Sequence, residues 1–221
     1  MNFKKDKYTV IKKAISKDLA LFLYNYFLVK RQVAKTLFES KHISPFETLF
    51  GIWTDDQVPG TYSHYADIAM ETLLLKLQPV MEKTTGLKLV PNYSYARIYK
   101  NGDILKRHKD RFSCEISTTL NLGGEQWPIY IDPTGSDNVI DEYKNIMKPN
   151  APKGVKVDLK QGDMLIYRGN LLEHWREPFQ GQDCAQVFLH YTNIKTPDAE
   201  KYIYDKRPHI GLPNHFIKND K

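Results

Sequence analysis

The chain changes character at Gly86, and that change constrains its fold more than any other feature. Before it, apolar residues recur at helical spacing. After it come short alternating segments rich in Val, Ile, Thr and Tyr, cut by turn residues. In the first part, Ser16 followed by Asp18 marks a helix start. Leu19, Phe22, Leu23, Tyr26, Phe27, Lys30 and Val33 then fall near one face, with Lys30 interrupting an otherwise apolar stripe. Residues 42–60 carry Pro45, Gly51, Pro59 and Gly60 among polar neighbours and read as loop. A second amphipathic helix is predicted from Ser63 to Lys83. It turns Ile68, Leu73, Leu74, Leu77 and Met81 inward, and Gly86 closes it in the left-handed conformation.

The second part predicts strands at 87–90, 93–99, 104–107, 115–122, 127–131, 155–159, 164–167, 171–175 and 185–192. Asn101-Gly102, the pair favoured in tight hairpins, separates two of them. Many short strands at regular spacing imply a sandwich or barrel. The expected class is therefore mainly β with N-terminal helices (α+β), a jelly-roll barrel buttressed by two or more helices. One domain is expected, with residues 1–86 helical, 87–195 the β core and 196–221 an irregular tail that wraps the body.

Composition excludes several alternatives. A chain of 221 residues buries about 70% of its unfolded surface without help from disulfides. The two cysteines, Cys114 and Cys184, do not make a disulfide framework and fit a reducing cytosol. No apolar run approaches the roughly 20 residues of a membrane span, and no signal-peptide cleavage pattern follows the basic start. A cytoplasmic location is expected. The net charge is +6, with lysines crowded in the first thirty residues and Lys206, Arg207, Lys218 and Lys221 near the end. This permits a nucleic-acid or acidic-protein partner, but an ordinary solvated surface accounts for it as well.

Three of the seven histidines, His108, His174 and His190, fall among the predicted strands. His108-Lys109-Asp110 stands at the end of one. Residues two apart on extended backbone point the same way, so an imidazole and a carboxylate can converge on one ion with Lys109 turned out. With His174 as a third ligand, the set leaves three positions of an octahedron open, which suits non-haem iron(II).

From Tyr95 to Tyr191 the chain resembles the prolyl-4-hydroxylase-like branch of the iron(II)/2-oxoglutarate-dependent oxygenases. The matching motifs, in order, are YARIYKNGDILKRHKDR, STTLNL, GDMLIYRG, HWREP and QVFLHY. The resemblance implies a double-stranded β-helix, with iron held by His108, Asp110 and His174. The cosubstrates would be 2-oxoglutarate and O2, the products succinate and carbon dioxide. It also implies hydroxylation of a peptidyl or free amino-acid side chain, proline being the nearest analogy. His190 competes with His174 as distal ligand, but Pro178 four residues after His174 matches the pattern better. Asp110 points away from halogenation, because halogenating relatives carry a small residue there.

By the same analogy Tyr99 and Thr119 line the cosubstrate pocket, while Ser117 shares the inward face of its strand with Thr119. The family places an Arg or Lys about ten residues after the distal histidine, to pair with the far carboxylate of 2-oxoglutarate. Here that window reads FQGQDCAQVF and holds no cation. A buried carboxylate needs a partner, so Arg97 is the favoured substitute, with Arg176, Arg168, Gln186 and His190 as competitors. Two other functions stay open: a nucleobase- or nucleotide-oxidising enzyme of the same superfamily, or a cupin- or lectin-like binding module without redox chemistry. Substrate choice is expected to rest with residues 132–153 and the tail.

Overall fold

The computed structural model describes residues 2–218, so Met1 and residues 219–221, with Lys221 of the basic run, lie outside the described residues. In chain order the elements are α1 (Phe3–Asp6), β1 (Tyr8–Ile11), α2 (Lys17–Glu39), β2 (Tyr62–Tyr65), α3 (Ile68–Thr85), β3 (Leu89–Lys100), β4 (Leu105–His108) and β5 (Ile116–Gly124). They continue with β6 (Ile129–Ile131), β7 (Val139–Asp141), β8 (Ile146–Met147), β9 (Val155–Val157), β10 (Met164–Tyr167), β11 (His174–Arg176) and β12 (Asp183–Asn193). Two 3-10 segments, Ala199–Lys206 and Asn214–Phe216, close the described chain.

Two antiparallel sheets carry the architecture. The larger runs β1-β10-β5-β12-β3-β2 and the smaller β4-β11-β6-β9, with β7 and β8 a separate hairpin. From β3 to β6 and again from β9 to β12, consecutive strands alternate between the sheets in the manner of a jelly roll. An apolar cluster of Tyr8, Ile129, Ile131, Val157, Leu165 and Tyr167 joins the two sheets across the interior. A second cluster, with Tyr99, Leu105, Trp127, Phe179 and Cys184, joins them at another point.

The outer face of the larger sheet packs on α2 and α3. Leu23, Phe27, Met70, Leu74, Leu77 and Met81 meet Ala96, Ile98, Ile116, Ala185, Val187 and Leu189 in the main core. Helix α2 starts where the sequence puts it: the Ser16 hydroxyl accepts from Leu19 N at 3.2 Å. Phe22 and Ile68, expected inward, are 67% and 71% exposed. Lys30 interrupts the stripe because it reaches Asp67, its Nζ standing 2.5 Å from Oδ2, while Tyr26 donates to the same oxygen at 2.7 Å. Burial alone would raise Asp67, but the His64 hydrogen bond and the Lys30 ammonium hold it well below the usual carboxylate range.

Three departures from the sequence reading have physical causes. Residues 63–65, taken as the start of the second helix, fall in β2 instead, which pairs with the edge of β3 from Tyr62↔Ile98 to Tyr65↔Tyr95. Ladder pairing outweighs local helix preference there, and Ala66 at φ 59° turns the chain before Asp67 caps α3. The strands predicted at 87–90 and 93–99 are one continuous strand, β3. Asn101-Gly102 makes a tight turn but no hairpin, since β3 and β4 belong to different sheets.

The described part of the tail packs against the body. It is fixed by Arg207, whose guanidinium meets the buried Glu71 carboxylate of α3 at 2.7 and 3.3 Å. Cys114 and Cys184 are both free and buried. Among the described residues no helix is long and apolar enough to cross a membrane. Glu71→Gln leaves Arg207 buried without its counter-charge. It is expected to cost about 3–5 kcal/mol in urea unfolding.

Candidate metal centre

His108 ends β4 and His174 opens β11, and the two are direct partners in the antiparallel ladder. Their rings lie 4.3 Å apart between centroids. Asp110 follows two residues after His108, its amide held to the Gly169 carbonyl at 2.9 Å. Its Oδ1 stands 3.6 Å from His108 Nε2 and 3.4 Å from His174 Nε2. The ligand atoms of all three residues lie within 4.8 Å of one another. Lys109 turns away, to Asp137 and the Gly135 carbonyl.

The hydrogen bonds select the chemistry of each donor. His108 Nδ1 meets the Lys106 carbonyl at 2.7 Å, and His174 Nδ1 meets that of Leu172 at 3.0 Å. A carbonyl only accepts, so each Nδ1 carries a proton and each neutral ring has its lone pair on Nε2, facing Asp110. Two imidazole lone pairs and one carboxylate oxygen aimed at a common point are a donor set for a divalent cation. The other carboxylate oxygen, Oδ2, accepts from the Ser117 hydroxyl at 2.6 Å. That hydroxyl has only one proton, so it accepts from His190 Nδ1, 3.0 Å away. A Cβ at Gly169 would overlap both the Asp110 carboxylate and Ser117.

The cluster opens into a cavity of about 520 Å³, walled by Tyr65, Tyr93, Tyr95, Arg97, Tyr99, Tyr167 and His190 among others. Burial pushes the His190 imidazole down to about 4, so the ring is neutral at ordinary pH. His108 goes the other way: burial lowers it, but the Asp110 carboxylate outweighs burial and leaves it above its ordinary 6.5. Asp110 is held well below the carboxylate range, since the two histidines outweigh its burial.

The other residues marked from the sequence fall at different places. His190 is turned to Ser117 and stacked on Tyr93 at 4.5 Å, outside the metal-ligating group. Arg97 lines the cavity, with its charge already met by Asp55 and Gln57. Arg168 is turned to Glu115 at 2.8 Å and does not line the cavity. Thr119 donates to Gln186 Oε1 at 3.0 Å and accepts from Arg176 Nη2 at 3.2 Å. Arg176 is 1% exposed and lies over the Trp127 ring. Its Nε has no partner, and no carboxylate among the described residues pairs with it. Asp55 and Gln57, at the cavity wall, were missed; a polar loop of ordinary composition gives no signal for them.

Comparisons with known proteins bear on this geometry. No family model matches the sequence, and no curated protein matches it. Solved structures do match. A prolyl-4-hydroxylase from Pseudomonas putida superposes with a TM-score of 0.56 at 14% identity, over 86% of this chain and 95% of that one. HygX from Streptomyces hygroscopicus, solved with nickel, 2-oxoglutarate and hygromycin B bound, gives 0.59 at 14% identity, over 87% and 85%. EctD from S. alaskensis, solved with 2-oxoglutarate and 5-hydroxyectoine, gives 0.57 at 17% identity, over 87% and 74%. The chain shares the fold of these proteins.

Two outcomes follow for cation binding. Ser117→Ala frees the distal oxygen of Asp110 and is expected to weaken Co(II) binding about ten- to hundredfold in a spectroscopic titration. A proton must also leave His108 before Nε2 can take a cation. Because its pKa is raised, Co(II) affinity should climb as pH rises through a value above 6.5 and fall below it.

Proposed function

We propose that this chain is an iron(II)- and 2-oxoglutarate-dependent oxygenase acting from a closed double-stranded β-helix, with His108, Asp110 and His174 as metal ligands. The observation that carries this reading is the convergence of two Nε2 lone pairs and one carboxylate oxygen beside a cavity. The donor set fits iron(II): nitrogen and oxygen donors on one side, room for exogenous ligands on the other. Bound there, iron with 2-oxoglutarate and O2 would supply oxidation of a substrate C–H bond, with succinate and carbon dioxide released.

The chain's own residues support the cosubstrate assignment. Arg176 is a buried cation without a counter-ion, and burying such a charge unpaired is costly. Arg176 and Thr119 stand outside the lining of the cavity itself, and a dicarboxylate reaching them from the metal side would satisfy the charge. We therefore assign the far carboxylate of 2-oxoglutarate to Arg176 and the Thr119 hydroxyl, rather than to Arg97, whose charge Asp55 already meets. Gln186 orients Thr119, and Tyr99 closes the wall beside Trp127. Ser117 and His190 hold Asp110 with one oxygen toward the histidines. The phenols and the Phe188 ring of the cavity exclude water and offer packing to an organic substrate. A peptidyl or free amino-acid side chain is the proposed target, hydroxylation the proposed outcome. Among the described residues the ligand group has three members, not the four of a closed zinc site, which favours the enzyme over a non-redox binding module.

The test is succinate formation from 2-oxoglutarate with iron(II), in the presence and absence of amino-acid and peptide substrates. Turnover should vanish in His108→Ala and His174→Ala. Arg176→Met should raise KM for 2-oxoglutarate about ten- to hundredfold, with a smaller change in kcat. Failure of the parent protein to form succinate under any of these conditions sinks the reading.

A further inference from the structure

Asp55 and Gln57, in the loop before β2, wall the cavity beside the metal cluster, and Gln57 reaches one of the ligands. The Gln57 side chain bridges Arg97 and His108. Its Oε1 faces Arg97 Nη1 at 3.2 Å and Nη2 at 3.1 Å, and its Nε2 stands 3.1 Å from His108 Nε2. The partners fix this orientation. A guanidinium only donates, so the amide oxygen must face Arg97 and the NH2 group must face His108.

Arg97 cannot easily turn aside. Asp55 holds its Nη2, Tyr99 Oη accepts from Nη1 at 3.2 Å, and the Tyr95 and Tyr99 rings lie 5.2 and 5.4 Å from its guanidinium carbon. Asp55 in turn accepts from Tyr95 Oη. On the other side, His108 Nδ1 is committed to the Lys106 carbonyl, so the atom that meets the Gln57 NH2 group is the Nε2 lone pair. That is the lone pair a metal ion would take. One lone pair cannot serve both.

We propose that Gln57 is a metal-responsive latch: it ties residues 53–60 to His108 while the lone pair is free, and a divalent cation at His108, Asp110 and His174 releases it. This rests on reading the cluster as a metal centre. Cation binding then competes with one hydrogen bond, and loss of that bond loosens the segment that walls the cavity through Asp55 and Gln57. Gln57 is thus a positioning residue for the cavity wall and a competitor of the metal.

The experiment is a Co(II) titration of the full chain and of Gln57→Ala, with hydrogen–deuterium exchange read at residues 53–60. In the parent protein Co(II) should speed exchange there. In Gln57→Ala exchange should already be fast and indifferent to Co(II), and Co(II) should bind about three- to tenfold tighter, the competing hydrogen bond being gone. A merely structural role for Gln57 predicts unchanged or weaker Co(II) binding instead. Parent protein that binds Co(II) with no change in exchange at 53–60 overturns the latch and leaves the metal centre standing. Parent protein that binds no Co(II) at all overturns both. The exchange measurement on the parent needs no variant, so it decides the question even where Gln57→Ala fails to fold.

Discussion

The antiparallel pairing of β4 with β11 carries the site, because its register sets His108 across from His174. A slip of one residue would turn both rings to the opposite face. What opposes a slip stands on that other face. Arg107 and Glu173, the chain neighbours of the two histidines, point away from the cavity and pair at 2.7 Å. Arg107 also reaches Asp132 at 2.5 Å and the Pro152 carbonyl at 2.6 Å, while Asn138 donates to Asp132 and Glu173. Arg107, Asp132, Asn138 and Glu173 are all buried. Such a network contributes little net stability, but a shifted register would leave buried charges unpaired. The same groups bind the 132–153 segment down on the smaller sheet.

The larger sheet serves two masters through simple alternation. Along β12, Ala185, Val187, Leu189 and Tyr191 turn to the helices, while Gln186, Phe188 and His190 turn to the interior. Along β3, Ala96 and Ile98 face the helices, and Tyr93, Tyr95, Arg97 and Tyr99 face the cavity. The main hydrophobic core therefore lies outside the sheet, between it and α2 and α3, and the interior, beside its two smaller apolar clusters, has room for polar groups. Burying an aliphatic face against helices is favourable at roughly 25 cal/mol per Å². That stabilisation supports an inner face whose charged side chains cost free energy to desolvate.

Inside, charge is managed in pairs with one exception. Arg97 has Asp55, Arg107 has Asp132 and Glu173, and Arg207 has Glu71. Among the described residues, Arg176 alone of the buried arginines has carbonyl and hydroxyl partners but no anion. A buried unpaired cation marks a place where an anionic ligand is expected.

Much of this was legible in the chain itself. The helix start at Ser16, the closure at Gly86 and most strands follow from capping chemistry and period-two alternation, which are local. His108 and Asp110 could be paired on sight because they are two residues apart on extended backbone. His174 needed the family resemblance, since nothing local says which distant strand lies across from His108. Other features had no local signal. Residues 62–65 became strand because an edge of β3 was there to receive them. Lys30 found Asp67, and Gln57 reached His108, across separations that sequence periodicity does not encode. That Arg97 has a carboxylate beside it and Arg176 has none is likewise invisible in the sequence. Sequence determined the elements and the faces they present, because backbone sterics and burial act over a few residues. Only the tertiary structure decided the partners, because hydrogen bonds and ion pairs depend on distances that the fold alone sets.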